Sequence, residues 1–288
     1  MDWSRAKNIL IAMFLIINIF LSYQLYTISR SQYIYIEEEE LESIKQHLTE
    51  KNIQLETEIP DRVLISPSIK VKYHEFDIEK VEEIFFNDVD YELTNSAQGY
   101  EMKSGDIAVE VKNGIYVSYR NQAIQIKQKD INEEKCINNA YSFINKLQIN
   151  SGNQFTRVKE VEKGYIRLVI GQEYNKLSID SSQIEIIATE EGVVSANINW
   201  LESVKPDKRY NIITPVMALL KAFENRGEKE EPVFIKQIRQ GYYFAPNVSD
   251  DSDNNSAREG ILSPMWVIAS DKTEVYINAY NEKYEMIK

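Results

Sequence analysis

The longest apolar stretch of the chain comes first. Residues 8–29 carry no formal charge, and Ile, Leu, Phe, Met and Ala dominate the first two thirds. At about 1.5 Å per residue such a helix reaches about 33 Å, enough for a hydrocarbon core of about 30 Å. A buried helix of a soluble protein would normally show a polar stripe, and none is present. A cleaved export signal is the stronger alternative, because Arg5 and Lys7 precede the apolar run. The exit, Leu21-Ser22-Tyr23-Gln24-Leu25-Tyr26, offers no small-x-small cleavage site, which favours a retained span. Trp3, Tyr23 and Tyr26 suit the two membrane interfaces. Arg5 and Lys7 outweigh Arg30, which is soon followed by Glu37 to Glu40 and Glu42, so the expected topology is N-terminus inside and bulk outside.

Beyond the span the periodicity changes. Leu41, Ile44 and Leu48 form one helical face in a charged stretch at 36–51. Residues 53–59 alternate as a strand does and stop at Pro60-Asp61. Asp77 is a candidate N-cap for a helix at 78–86, buried through Ile78, Val81, Ile84 and Phe85; Lys80 leaves its capping box incomplete. Strands follow at 99–102, 107–111 and 115–119, the last two divided by Lys112-Asn113-Gly114, a hairpin signal because Asn and Gly tolerate positive φ. A second helix is predicted at 133–147, with Cys136, Ile137, Ala140, Phe143, Ile144 and Leu147 as its stripe. Strands at 155–161, 165–171, 176–187 and 193–201 come next. Thr214-Pro215 opens a third helix, with Val216, Leu219, Leu220 and Phe223 on its buried face, and strands end the chain at 233–245, 265–269 and 275–280. The order helix then meander recurs without sequence identity. The predicted fold is α+β: one N-terminal transmembrane helix, then an extracytoplasmic region of curved antiparallel sheets packed with helices in two repeated units. The expected segments are a cytoplasmic tail at 1–7, the span at 8–29, a stalk and first helix at 30–52, and α+β units at 53–125 and 126–288.

Charge narrows the function. A formal net charge of −12 argues against a nucleic-acid partner, whose phosphates need a basic surface, and disfavours anionic lipid. With one cysteine, Cys136, there is no internal disulfide framework, and its place in a helical stripe makes it a buried small hydrophobe. His47 and His74 are not placed together by any motif, and no zinc, phosphate-loop, dinucleotide or G-x-S-x-G signature occurs. No catalytic residue, metal or cofactor is expected. The run Asp250-Asp251-Ser252-Asp253-Asn254-Asn255 offers oxygen ligands but lacks the glycine and glutamate spacing of an EF-hand, so a surface loop is the expectation. Tyr242-Tyr243-Phe244 and Trp266 are expected in sheet packing. An envelope hydrolase would require two carboxylates about 5–9 Å apart in a cleft, and a ligand-binding or adhesion module a concave aromatic pocket.

The opening string Met1-Asp2-Trp3-Ser4-Arg5-Ala6-Lys7-Asn8, running into Ile9 through Leu21 and Tyr23-Gln24-Leu25, resembles the YycI branch of the YycH/YycI regulatory proteins, also called WalI and WalH. Gly260 through Ile268 and Val275-Tyr276-Ile277-Asn278-Ala279-Tyr280 resemble their closing hairpin. The resemblance implies a non-enzymatic, membrane-anchored accessory regulator of the WalK/YycG sensor histidine kinase, in a two-component system controlling cell-wall metabolism. Its implied partners are that kinase and a YycH-like protein. Asn18 lies mid-span, where an amide gains from a neighbouring helix, so Asn18 and its helical neighbours Phe14, Leu15, Leu21 and Ser22 are the candidate contact face.

The charge flanks predict the topology directly. Protease added to intact wall-free cells is expected to digest the region beyond residue 36 and to leave a tag fused before Met1 protected. A protected C-terminus would contradict it.

Overall fold

A computed structural model describes residues 3–30, 33–87, 89–149, 154–227, 230–243 and 259–287. In chain order the elements are α1 (Trp3–Arg30), β1 (Tyr33–Tyr35), α2 (Glu38–Glu50), β2 (Ile53–Leu55), β3 (Arg62–Leu64), β4 (Ile69–Tyr73) and α3 (Ile78–Val81), which continues as a π-helical turn (Glu82–Phe86). Then come β5 (Glu92–Ser96), β6 (Gly99–Ser104), β7 (Ile107–Lys112), β8 (Tyr116–Asn121), α4 (Glu133–Lys146), β9 (Gln154–Glu162), β10 (Tyr165–Tyr174), β11 (Leu177–Thr189), β12 (Gly192–Asn199) and β13 (Leu201–Pro206). The chain closes with α5 (Pro215–Ala222), β14 (Val233–Tyr243), β15 (Glu259–Ser270), β16 (Glu274–Asn278) and β17 (Tyr284–Ile287). The fold is mixed α+β, with one apolar N-terminal helix and a large multi-stranded sheet packed with helices.

Two compact units divide the chain: one takes residues 1–66, 209–239 and 266–288, the other 67–208 and 240–265. The division expected between 125 and 126 falls between β8 and α4, inside the second unit.

In the first unit, α2 and α5 supply Ile44, Leu48, Val216 and Leu219 to a core completed by Ile53, Ile235, Trp266 and Ile277. Thr214 caps α5 as expected, its hydroxyl accepting from the Met217 N–H at 3.3 Å, with Pro215 in the first turn. The strand predicted over 53–59 is shorter, at three residues, because it pairs in parallel with only the first part of β14, Ile53 opposite Val233. That parallel pair, and β1 with β3, have no signature in the sequence pattern because both rest on partners distant in the chain.

In the second unit, β5-β6-β7-β8-β12-β11-β10-β9 form a continuous antiparallel series. Their shared core takes Val81 and Phe86 from α3 and its π turn, and Cys136, Ala140, Phe143 and Ile144 from α4. Asp77 and Asn132 cap these helices through the N–H groups of Lys80 (2.8 Å) and Lys135 (3.1 Å). The Asn-Gly signal is a turn of the predicted kind, with Asn113 at φ 53° and Gly114 at φ 70°. At the next hairpin Gly164 has φ 93°, and a Cβ there would sit 2.1 Å from the Lys127 carbonyl oxygen, so only glycine fits. The strand predicted at 193–201 breaks at buried Trp200, and the chain continues as β13, paired antiparallel with β4.

One side chain holds that break. Between Gly171 and Gln172 the register of β10 against β11 jumps, Gly171 facing Gln183 and Gln172 facing Ile179. The buried Gln172 amide turns to Leu201 instead: its Nε2 donates to the Leu201 carbonyl at 3.0 Å and its Oε1 accepts from the Leu201 N–H at 2.8 Å. The Ser182 hydroxyl donates to the same Oε1. Gln172 thus serves as a strand partner for one residue where no strand is present. Gln172→Leu would leave the buried Leu201 N–H and carbonyl without that partner, while the Ser182 hydroxyl keeps the Asn199 carbonyl at 3.4 Å, and at about 1–3 kcal/mol for each unsatisfied group a loss of at least about 2 kcal/mol is expected in urea denaturation.

Candidate functional site

The first candidate face lies on α1. Its 28 residues span about 42 Å at 1.5 Å each, and the window Lys7–Gln24 has the length and composition to cross a membrane and is wholly unburied. One such helix supports a single membrane-spanning arrangement. At about 100° per residue, Phe14, Leu15, Asn18, Leu21 and Ser22 fall within an arc of about 120°. All five are exposed. The Asn18 amide donates to the Phe14 carbonyl of its own helix at 2.8 Å, a bond the sequence pattern did not reveal. That bond lowers the cost of an amide in hydrocarbon, and an amide still has a second N–H and a carbonyl oxygen to offer.

The second candidate is a groove of about 600 Å³ in the first unit, between α2 and α5. Its floor is Ile44 and Val216; Met217 and Leu220 form one wall, and Glu37, Glu39, Glu40, Ser43 and His47 the other. The acidic residues follow from helix physics, since Glu38, Glu39 and Glu40 occupy the first turn of α2, where carboxylates favour the exposed N–H groups. The two helices are tied at their C-terminal ends: the Lys51 ammonium donates to the carbonyls of Phe223 (2.8 Å) and Glu224 (3.2 Å), and the Arg226 guanidinium to that of Lys51 (3.2 Å). Sequence periodicity identified both helices but placed Leu220 on the buried face, whereas it is 37 % exposed, and left Met217 unassigned, at 42 % exposed.

Among the described residues no group of three or more His, Cys, Asp or Glu is placed to hold a metal. His47 lies on α2 in the first unit and His74 follows β4 in the second. Cys136 is buried, and burial pushes its thiol up. Trp266 and Tyr242 are core residues, with the indole N–H donating to the Ile213 carbonyl at 2.9 Å and the phenol to the Pro67 carbonyl at 2.7 Å. The Tyr73 hydroxyl is raised by burial, although Ser181 and Asn199 beside it oppose the shift. The acidic run at 250–255 lies outside the described residues.

The YycI protein family model matches residues 31–280. The chain belongs to the YycI family. That membership is consistent with a non-enzymatic regulatory protein attached to the membrane. No curated protein matches this YycI-family chain. Among solved structures, the Bacillus megaterium YpeB C-terminal domain is similar at 11 % identity and a TM-score of 0.38, covering 75 % of this chain and 98 % of that one. A likeness at that level supports no statement about function.

His74 provides a check on packing in the second unit. Its backbone N–H donates to the Trp200 carbonyl at 2.8 Å and its ring meets Phe76 edge-on at 4.8 Å. Burial, followed by nearby Lys80, holds its pKa below the ordinary 6.5, against the opposing pull of Glu202, Glu75 and Asp77. A lowered folded pKa means that the unfolded chain binds more protons just below pH 6.5. Stability therefore falls as pH drops through 6.5 toward the folded value. A proton NMR titration is expected to place the His74 midpoint below 6.5, and His74→Asn to flatten the stability change between pH 7 and 5.5.

Proposed function

We propose that this chain is a membrane-anchored accessory regulator of the WalK/YycG sensor histidine kinase, within a two-component system controlling cell-wall metabolism. It acts by protein contacts made in the membrane through α1 and, beyond it, through the folded region, together with a YycH-like protein. The observation that carries the reading is the family match over 31–280. The apolar α1 supports it, because a regulator without a reaction centre works by contacts that differ in energy between two arrangements of a complex. In the proposed topology the tail at 1–7 is cytoplasmic and the bulk extracytoplasmic, as the Arg5 and Lys7 flank favours.

Two further readings belong to the same proposal. The contact face in the membrane is Phe14, Leu15, Asn18, Leu21 and Ser22. The folded region is a curved-sheet duplication split near 125, a reading supported by a helix followed by consecutive strands on each side of that point, α3 then β5 to β8 before it and α4 then β9 to β13 after it.

The test is Asn18→Leu, which makes α1 more apolar and leaves insertion intact. Helix pairs in lipid gain little from apolar burial, so loss of one interhelical hydrogen bond is expected to weaken association by about 0.6–2 kcal/mol. Co-purification with the kinase and output of its wall-metabolism genes are then partly reduced. A chimera carrying an unrelated span of equal length should lose more. Normal binding and regulation by a correctly displayed chimera would restrict recognition to the folded region, and failure of the original chain to capture any kinase would remove the assignment.

A further inference from the structure

The groove between α2 and α5 is apolar where it should be covered and acidic where it should be neutral. Met217 and Leu220, at i and i+3 on α5, remain 42 % and 37 % exposed while Val216 and Leu219 beside them are buried. An apolar pair left outside the core at helical spacing, against a second helix, is the geometry that accepts the apolar face of a third. The opposite wall supplies Glu37, Glu39 and Glu40, and among the described residues none of the three is in an ion pair. His47 beside them lies 4.0 Å from Glu50, and among the described residues no Lys or Arg lines the groove. Three unpaired carboxylates flanking apolar side chains define the occupant by charge: cationic residues bordering an apolar stripe.

The position restricts it further. Between Arg30, the last residue of α1, and Glu38, the first of α2, the chain extends no more than about 28 Å. The groove is therefore tethered within reach of the bilayer surface. An anionic lipid surface is repelled by the same carboxylates and by a net charge of −12. We propose that the α2–α5 groove is a docking site for a cationic amphipathic helix of another membrane protein, seated on Met217 and Leu220 with its Lys or Arg residues against Glu37, Glu39 and Glu40. This rests on the reading of the chain as a membrane-anchored regulator.

The test uses the full chain in phosphatidylcholine nanodiscs and a fluorescent fourteen-residue helix of Leu and Lys, with Leu at i, i+3, i+4 and i+7. Empty nanodiscs provide the blank, and the same helix with Glu for Lys the charge control. Saturable binding of the Lys helix is expected, and none of the Glu helix. Met217→Ser/Leu220→Ser, which leaves net charge unchanged, is expected to weaken binding at least fivefold, as is Glu39→Gln/Glu40→Gln. Glu79→Gln/Glu92→Gln, which removes the same charge from the second unit, should not weaken it. Equal weakening by the last pair, or wild-type binding by the first two, overturns the site. So does a Met217-dependent self-association in sedimentation, which assigns the groove to a second copy, or Met217-dependent binding to phosphatidylglycerol vesicles, which assigns it to lipid. Thermal midpoints within a few degrees of wild type exclude unfolding, because all four substituted groove residues are at the surface. Kinase co-purification separates the readings: loss with Asn18→Leu but not with Met217→Ser/Leu220→Ser leaves the regulator standing and sinks only the groove's part in kinase capture, while peptide binding by the nanodisc protein judges the groove by itself.

Discussion

Strand pairing between segments far apart in the chain is the constraint on which each unit depends. In the first unit β2 finds its partner in β14, Ile53 opposite Val233, and without that pair Ile53 and Ile235 have no common core to enter. In the second, β4 is held on one side by β13 and on the other by β15. Each such pairing closes a long loop of chain before any of its contacts forms, a cost that grows only slowly with loop length but delays folding. Local hairpins such as β6 to β8 close cheaply, so the meanders are the natural first structure and the distant pairs the completion.

Completion of the sheets has consequences for the helices. α4 shows one apolar stripe and buries it, with Cys136, Ala140, Phe143 and Ile144 all inside. α5 is different, because Val216, Met217, Ala218, Leu219 and Leu220 are apolar nearly all round and one sheet face covers only part of that circumference. What remains faces α2, whose acidic first turn is good for the helix itself. A feature that stabilises one helix thereby sets the electrostatic character of a groove it shares with another. Lysine and arginine ties join the two helices at the far end of the pair.

In α1 the polar interruption is partly satisfied from within. By donating to the Phe14 carbonyl, Asn18 makes the helix a tolerable single span, and the capacity it still has is available to a neighbour.

Residue pattern alone determined the apolar span, α4 with its stripe over 133–147, the Thr214-Pro215 start of α5, the Asn113-Gly114 turn and the burial of Cys136, because capping, helical period and positive φ are properties of a few neighbouring residues. It did not reveal β1, β3 and β5, the π turn at Glu82–Phe86, or the break at Trp200, since nothing in those short segments specifies the partner. Most plainly, it placed Leu220 in the core. Helical period says which residues share a face; only the tertiary structure decides how wide a face the neighbours cover, and here they stop short of Met217 and Leu220, leaving the groove open.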